Sequence, residues 1–362
     1  MRGDTGLELG KYDYWKKIVK KFPEANFLQS PGYAEMNQAL GEKVILEDFG
    51  DKGWALMIVR DAKRGRYLEI PCGPLLDWSD RKLVQRAFNK ITAVAKREKC
   101  VFVRIRPQLP TTAKNLEILK NLGLRESPMH LAAEHTVMID LRKSEEELLA
   151  GMRRQTRYEV RRADKLGIKV YKGRSEGLFE EFHRVQLETA ERQGFVPPNL
   201  KTLLAEREAF GENIELYVAK IAIDSTKNGD KNRGGSAKEA PSSVPEIEAE
   251  QPVAYGLIIK DGHEGDYYEA ASTLLNRKIP GAYALLWRAM RDLKAEGYER
   301  FNLWGIAPAG QPHHRYAGVT TFKTGFGGDV VEYVPAHDLV ISRVRYLKNL
   351  IVEKARKKRR HL

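Results

Sequence analysis

The sequence predicts an α/β (α+β) protein of two domains, each a mixed sheet flanked by helices. Three observations carry that expectation. The 362 residues are enough for two hydrophobic cores of ordinary size. Short apolar runs bounded by turn residues alternate with stretches of helical period over residues 1–143, and the alternation resumes at Ser144. Hydrophobic residues make up 42% of the chain. None of them form a run of about 18, so no transmembrane helix is expected.

Residues 1–22 read as a helix with Tyr14, Trp15, Ile18 and Val19 on its apolar side. Ser30 followed by Pro31 reads as a helix start, because the hydroxyl accepts a first-turn N–H and proline needs none of its own. That helix stops at Gly41. Val44–Phe49, the run from Trp54, and Arg66–Trp78 read as three strands, the last broken by Pro71-Cys72-Gly73-Pro74. An amphipathic helix follows over Ser79–Glu98, then a buried strand over Cys100–Gln108. A helix from Thr111-Thr112 to Gly123 and a strand, His135–Leu141, close the first set.

Ser144 with Glu147 three residues on is a capping box. The helix it opens is expected to run to Leu166. Leu149, Met152, Thr156 and Ala163 share one side of it, while Arg154, Arg157, Arg161 and Lys165 fall on another. That basic stripe reads either as a phosphate contact or as a solvated face. Ile168–Tyr171 is a strand, and a helix spans Gly177–Gln193 up to Gly194. Strands follow at Glu215–Asp224 and Pro252–Ser272, the second containing Tyr268. Between them Ser225–Gln251 is polar and lacks aromatics, and is expected to be a disordered insertion in a hairpin. A helix after Gly281 buries Ala282, Leu285, Leu286, Ala289 and Leu293. The tail from Ser342 begins as a basic amphipathic helix and ends in a cationic run, with nucleic acid, an anionic membrane or simple solvation as its readings.

The stretch Tyr298–Gly328 organises the rest. It opens as a strand with Phe301, Leu303 and Ile306, ends the strand at Trp304-Gly305, and reaches Phe322-Lys323-Thr324-Gly325-Phe326-Gly327-Gly328. Glycines at that density mark tight turns or close backbone approach. Lys323 then reads either as a solvated turn residue or as a cation held between aromatics.

Composition narrows the partners. A net charge of +13 and a pI near 9.5 favour a polyanion, against the alternative of a general basic bias. Cys72 and Cys100 have no metal-ligand spacing, and no Walker A or GxGxxG motif occurs, so no metal or cofactor is expected. The N-terminus has no apolar signal region, so a cytoplasmic, reduced protein is expected.

Trp304, Gly305, Ile306, Gly318, Phe322, Lys323, Gly325, Phe326, Gly327 and Gly328 together resemble the C-terminal signature of the FemABX family. Those are non-ribosomal peptidyltransferases that build peptidoglycan cross-bridges from aminoacyl-tRNA. Phe27–Met36 is similar to the family's opening motif, with Tyr33 in a tryptophan's place. Tyr67–Trp78 is similar to a second motif, with Cys72 where arginine is common. Thr189–Phe195 resembles a third, with Gln193 in place of aspartate. The resemblance implies two GNAT-like acyltransferase domains, 1–143 and 144–329, and a segment, 330–362, returning to the first.

The resemblance also implies the chemistry. An amino acid would pass from aminoacyl-tRNA to the stem-peptide amine of a peptidoglycan precursor, either lipid II or UDP-MurNAc-pentapeptide. Lys323 would be the catalytic residue. Arg192, Phe322, Trp304 and Tyr268 would bind substrate, Arg192 through its diphosphate. Arg154, Arg157 and Arg161 would meet tRNA or phosphate, and the basic surface would meet an anionic membrane from the cytoplasmic side. Arg106 stands where some members have an aspartate base, and Asn37 where they have a phosphate-binding lysine. Residues Arg277–Ala282 resemble the GNAT acetyl-CoA loop, but Pro280 has no N–H to offer a phosphate, which argues against acetyl-CoA. The rival expectation is an N-acyltransferase acting on another amine, or a binding homologue without activity.

Overall fold

The computed structural model describes residues 9–50, 52–63, 65–222 and 250–360. Side chains are described from Tyr14 to Ala355, so the cationic run past Ala355 lies outside that range, as do residues 1–8 and most of the expected insertion.

The first part of the chain gives α1 (Leu9–Val19), α2 (Pro31–Ala39), β1 (Lys43–Asp48), β2 (Gly53–Ala62), β3 (Gly65–Pro71), β4 (Leu75–Leu76), α3 (Arg81–Arg97), β5 (Phe102–Arg106), α4 (Ala113–Asn121) and β6 (Arg125–Glu126). Its local signals work as expected. Ser30 Oγ accepts the Tyr33 N–H at 3.3 Å with Pro31 opening the helix. Asp80, rather than Ser79, caps α3, and Thr112 caps α4. Leu83, Ala87, Phe88, Ile91 and Val94 of α3 pack on Met57, Leu68, Val103 and Ile105 of the sheet. Each such large apolar side chain contributes roughly 1.5–3 kcal/mol.

The remainder gives β7 (His135–Asp140), α5 (Glu145–Gly151), α6 (Arg154–Lys165), β8 (Lys169–Gly173), α7 (Glu176–Gln193), α8 (Leu200–Phe210), β9 (Ile214–Ala222), β10 (Glu250–Asp261), β11 (Glu264–Ser272), α9 (Gly281–Ala295), β12 (Arg300–Gly305), α10 (Ala317–Thr324), β13 (Asp329–Glu332), β14 (His337–Val340) and α11 (Arg343–Arg360). Among the described residues these strands make two mixed sheets, ordered β1-β2-β3-β5-β14-β6 and β13-β7-β12-β11-β10-β9-β8, with β4 attached to β2. The architecture is the expected one, two mixed sheets each flanked by helices.

Four readings need correction. First, His135–Leu141 does not close the first set, because β7 pairs with β12 and β13 in the second sheet. In exchange β14 joins the first sheet between β5 and β6, and Tyr346 of α11 packs edge-on against Phe102 of β5, 5.5 Å away. Second, the helix expected over Ser144–Leu166 is two. It breaks at Met152-Arg153, where the Arg153 N–H donates to the Gly325 carbonyl at 2.8 Å instead of continuing the helix. The capping box at Ser144 is present. Third, the expected insertion ends too late, since Glu250 and Gln251 are ladder residues opposite Ala222 and Ile221. Fourth, Phe322 and Lys323 lie on the helix α10, not in a turn. No helix among the described residues is long and apolar enough to cross a membrane.

Candidate active site

Strands β11 and β12 run parallel and pair only at Glu264–Arg300, Gly265–Phe301 and Asp266–Asn302. Past those residues β11 continues to Ser272 and β12 to Gly305, so the strands part. Asn302 is the local cause. Its Oδ1 accepts the Trp304 N–H at 2.9 Å, and its Nδ2 donates to Glu264 Oε1 at 3.1 Å. A side-chain acceptor thereby replaces the ladder for that amide. Trp304 turns out with φ of 61°, a conformation costly for a bulky residue. Gly305 then resumes pairing on β7, opposite Thr136.

The opposite lip carries a bulge. Ile258 faces Tyr267 and Leu257 faces Glu269, so Tyr268 is the extra residue. Bulges re-aim side chains, and here both Tyr268 and Glu269 reach the α7 side of the sheet. The Tyr268 ring lies 4.9 Å from Phe27 and 5.6 Å from Trp304. Glu269 Oε2 accepts from Gln186 Nε2 of α7 at 2.7 Å. Tyr267 points the other way, into the core with α9.

Lys323 bridges this gap from the Tyr267 side. Its Nζ donates to the Gly305 carbonyl on one lip at 2.9 Å and lies 5.8 Å from the centre of the Tyr267 ring on the other. The residue is 8% exposed, and no ion pair is described for it among the described residues. Burial without a counter-charge pulls its ammonium down to about 7. The reading of a solvated turn lysine is therefore corrected. The following glycines hold the helix in place by close approach. Gly325 faces Thr156 and Arg153, with a Cβ there 2.8 Å from the Arg153 guanidinium. Gly327 (φ 84°) lies on the Gly151 carbonyl, and Gly328 (φ 82°) on the Met138 carbonyl of β7. Phe322 packs edge-to-face with Tyr283 and Phe326 in the core, at 5.0 and 5.3 Å.

Arg192 stands in the last turn of α7, at the far end of β11. It donates to Thr189 Oγ1 at 3.1 Å and to the Ser272 carbonyl. With Ser272, Asn276 and Arg277 it lines a cleft of about 230 Å³. Arg277, read only as part of a loop motif, thus joins Arg192. Arg154, Arg157 and Arg161 line a separate cleft of about 440 Å³ with Tyr158, Arg162 and Lys165. Within it Arg157 is tied to the carbonyls of Ala150, at 3.0 Å, and Met152. Trp304 and Tyr268 therefore touch, Lys323 lies beneath the same gap, Arg192 of α7 sits against the end of β11, and the α6 arginines form a surface of their own.

Two further positions resolve differently from a family site. Arg106 is 1% exposed, donates to Cys72 Sγ at 2.6 Å and stacks on Tyr333, 5.1 Å away. Asn37 is fully buried and donates to the Tyr33 carbonyl at 2.7 Å. At the start of α9 the Gly281 N–H is bound to Ile279 O at 2.8 Å and the Ala282 N–H to Asn276 Oδ1 at 3.1 Å. Two amides that a phosphate would need are already paired inside the protein.

Sequence reasoning missed one group altogether. Glu206 of α8 is 3% exposed and faces Glu269. Burial and the mutual repulsion of the two carboxyls push Glu206 well above the usual carboxylate range, and burial pushes Glu269 up to about 7. The available signal was a glutamate amid the apolar positions of Leu200–Phe210, a helix capped by Asn199 that was not read.

Two mixed sheets, each containing one parallel strand pair among the described residues, with the pair in the second sheet parted, define the class: a tandem protein of the acyltransferase fold. The chain belongs to the FemAB family, whose model matches residues 11–229 and 224–354. It is similar to the aminoacyltransferase FemA of Staphylococcus aureus (strain MRSA252), 20% identical over 395 aligned positions covering 91% of this chain and 92% of the relative. Among solved structures it resembles that of FemX, with TM-score 0.78, 17% identity, and 93% of this chain and 98% of that one covered. It also resembles L-PGS from Bacillus licheniformis, with TM-score 0.56, 11% identity and 96% of each chain covered. The protein is accordingly an enzyme of the aminoacyltransferase class.

Proposed function

We propose that the protein transfers an amino acid from aminoacyl-tRNA to the stem-peptide amine of a peptidoglycan precursor, forming an interpeptide bridge. The observation that carries this reading is Lys323 pinned between the two parted strands. A neutral amine attacks the ester carbonyl, and negative charge gathers on its oxygen. An N–H donor fixed there lowers the barrier by a few kcal/mol. The tetrahedral intermediate gives up a proton from the attacking nitrogen and collapses as the C–O bond breaks, and the departing ribose oxygen takes a proton, so none is gained or lost overall. A lysine poised near 7 supplies both the hydrogen bond and that proton at neutral pH.

The remaining roles follow from position. Arg192 and Arg277 bind the precursor's diphosphate, for which the guanidinium fork is suited. Tyr268 and Trp304 bind the stem peptide further along β11, roughly 13 Å away at the rise of a strand. Phe322 acts by holding α10 in the core. The α6 arginines meet the tRNA phosphates. A lipid-linked acceptor would bring the protein to a membrane, and α11 exposes Val344, Leu347 and Ile351 on one side amid cations, which fits an anionic surface.

The test is a transfer assay with charged tRNA and, separately, acetyl-CoA, each offered with precursor. Product with charged tRNA alone is expected. Acetylation of the acceptor instead would sink the reading and favour an N-acetyltransferase.

A further inference from the structure

Glu206 and Glu269 have too few donors around them. Glu206 Oε2 has no hydrogen-bond partner among the described residues. Neither has Gln186 Oε1, although Gln186 is 2% exposed. The Gln186 amide cannot be turned to cure this, because its Nε2 already holds Glu269 Oε2 at 2.7 Å. Three elements thus bring acceptor-rich side chains to one interior neighbourhood: Glu269 of β11, bonded to Gln186 of α7 and within electrostatic reach of Glu206 of α8. Buried acceptors left unpaired are costly, and a native fold keeps them for a reason. The group that would satisfy them carries several N–H donors and a positive charge.

We propose that Glu206, Glu269 and Gln186 form a binding site for a primary ammonium group beside Tyr268, at the lip of the parted strands. An ammonium has three donors and no acceptor, which matches the surplus. The bulge that turns Glu269 to the same side as Tyr268 builds the site into the acceptor face rather than into the core. The ammonium is held in its charged form, and before it can attack it must give up one proton; a pair that already holds one proton takes it, ending as two carboxylic acids beside a neutral amine. The titratable groups facing the pair are Tyr33 from α2, near Glu206, and Tyr268 from β11, near both, with Arg60 and Glu69 acting on Tyr33 and Asp266 on Tyr268. As a site for the acceptor amine this rests on the transfer reaction proposed above. As an ammonium site it does not.

Two amines could occupy it: the acceptor's side-chain amine or the α-amine of the aminoacyl donor. The experiment measures binding by calorimetry at pH 8 in wild type, Glu206→Gln, Glu269→Gln and Gln186→Leu. The probes are a stem-type pentapeptide with a lysine amine, its Nε-acetyl form, an aminoacyl-adenosine amide with free or formylated α-amine, and n-butylamine. Wild type is expected to prefer one free amine over its blocked form by about 10–100-fold, the scale of a charge-assisted hydrogen bond. Each glutamate variant should lose that preference while binding the blocked probe as before. The preferred probe assigns the source. Should no peptide or donor bind while n-butylamine saturates wild type but not Glu206→Gln, the ammonium site stands and the transfer reading fails. Equal binding of free and blocked probes, a preference that survives in both glutamate variants, or no n-butylamine binding would overturn the site. Melting curves check folding, and the Gln186 variant keeps both carboxylates as a control on it.

Discussion

The two parallel strand pairs of this molecule occupy equivalent places in their sheets and end differently. In the first sheet β3 and β5 stay paired to their last residues, Pro71 and Arg106. Cys72 and Arg106 close that end, both nearly inaccessible, with the guanidinium against the thiol and the Tyr333 ring. In the second sheet β11 and β12 separate three residues before β12 ends. Asn302 lifts the strand away, Trp304 turns outward, and Lys323 lies in the opening. The same fold is thus built once closed and once open. The difference rests on a handful of side chains at the strand ends, not on the sheets. A closed end needs only stability, whereas an open one must hold a cation and an aromatic residue in places where burial and backbone geometry oppose them.

That comparison can be broken at the residue that makes it. Asn302→Val removes the acceptor for the Trp304 amide and for the Thr136 hydroxyl, and takes one of the donors from Glu264, which keeps Asn26 and Arg300. A loss of about 2–4 kcal/mol in denaturant unfolding is expected. A variant as stable as wild type would show that Asn302 does not hold the strands apart.

The next effect is the pH dependence of stability. Lys323 drops from 10.5 unfolded to about 7 folded. The native state therefore binds fewer protons than the unfolded state between those values, and stability rises with pH across that window. Glu269 is raised from 4.5 to about 7, so its contribution is present below 4.5 and is lost as pH rises through 7. Together they put a minimum near neutrality. Lys323→Met should remove the upper limb and Glu269→Gln the lower, each by on the order of 3–5 kcal/mol. The check is a urea titration at several pH values. Variant curves parallel to wild type would mean these groups are not held as described.

A smaller effect is expected at the closed end. Arg106→Met replaces a buried cation by an apolar side chain of similar length, and such exchanges are often close to neutral. Stability should shift by about 1 kcal/mol or less and turnover by less than about threefold. A large fall in turnover would mean the closed end also takes part in the chemistry. The smallest effect concerns residues 225–249, outside the described residues between β9 and β10. Their replacement by a short Gly-Ser turn should leave the melting temperature unchanged within about 2 °C.

The sequence revealed most where a physical rule acts over a few residues. Ser30-Pro31 and the Ser144–Glu147 box were read correctly because caps are local. The glycine-rich motif marked Lys323, but not its helix, because three glycines so close usually mean a turn. What they serve is contact with Gly151 and Met138, far off in sequence. The return of the 330–362 segment to the first part was implied by the family resemblance, but the placement of β7 in the second sheet is a matter of topology that no local pattern encodes. The bulge at Tyr268 and the inward Glu206 were hidden for a related reason: each is decided by the neighbouring strand or helix, not by its own alternation.

The central claim is that the open end of the second sheet performs acyl transfer through Lys323. Its most direct test is a single-turnover assay with charged tRNA and precursor, run on folded wild type, Lys323→Met and Lys323→Arg. The account predicts a roughly 10²–10³-fold loss in Lys323→Met, the scale of one lost oxyanion donor, with precursor affinity changed far less. Arginine should rescue only in part, since a planar fork cannot sit at the same point. Near-wild-type turnover in a folded Lys323→Met protein would contradict it.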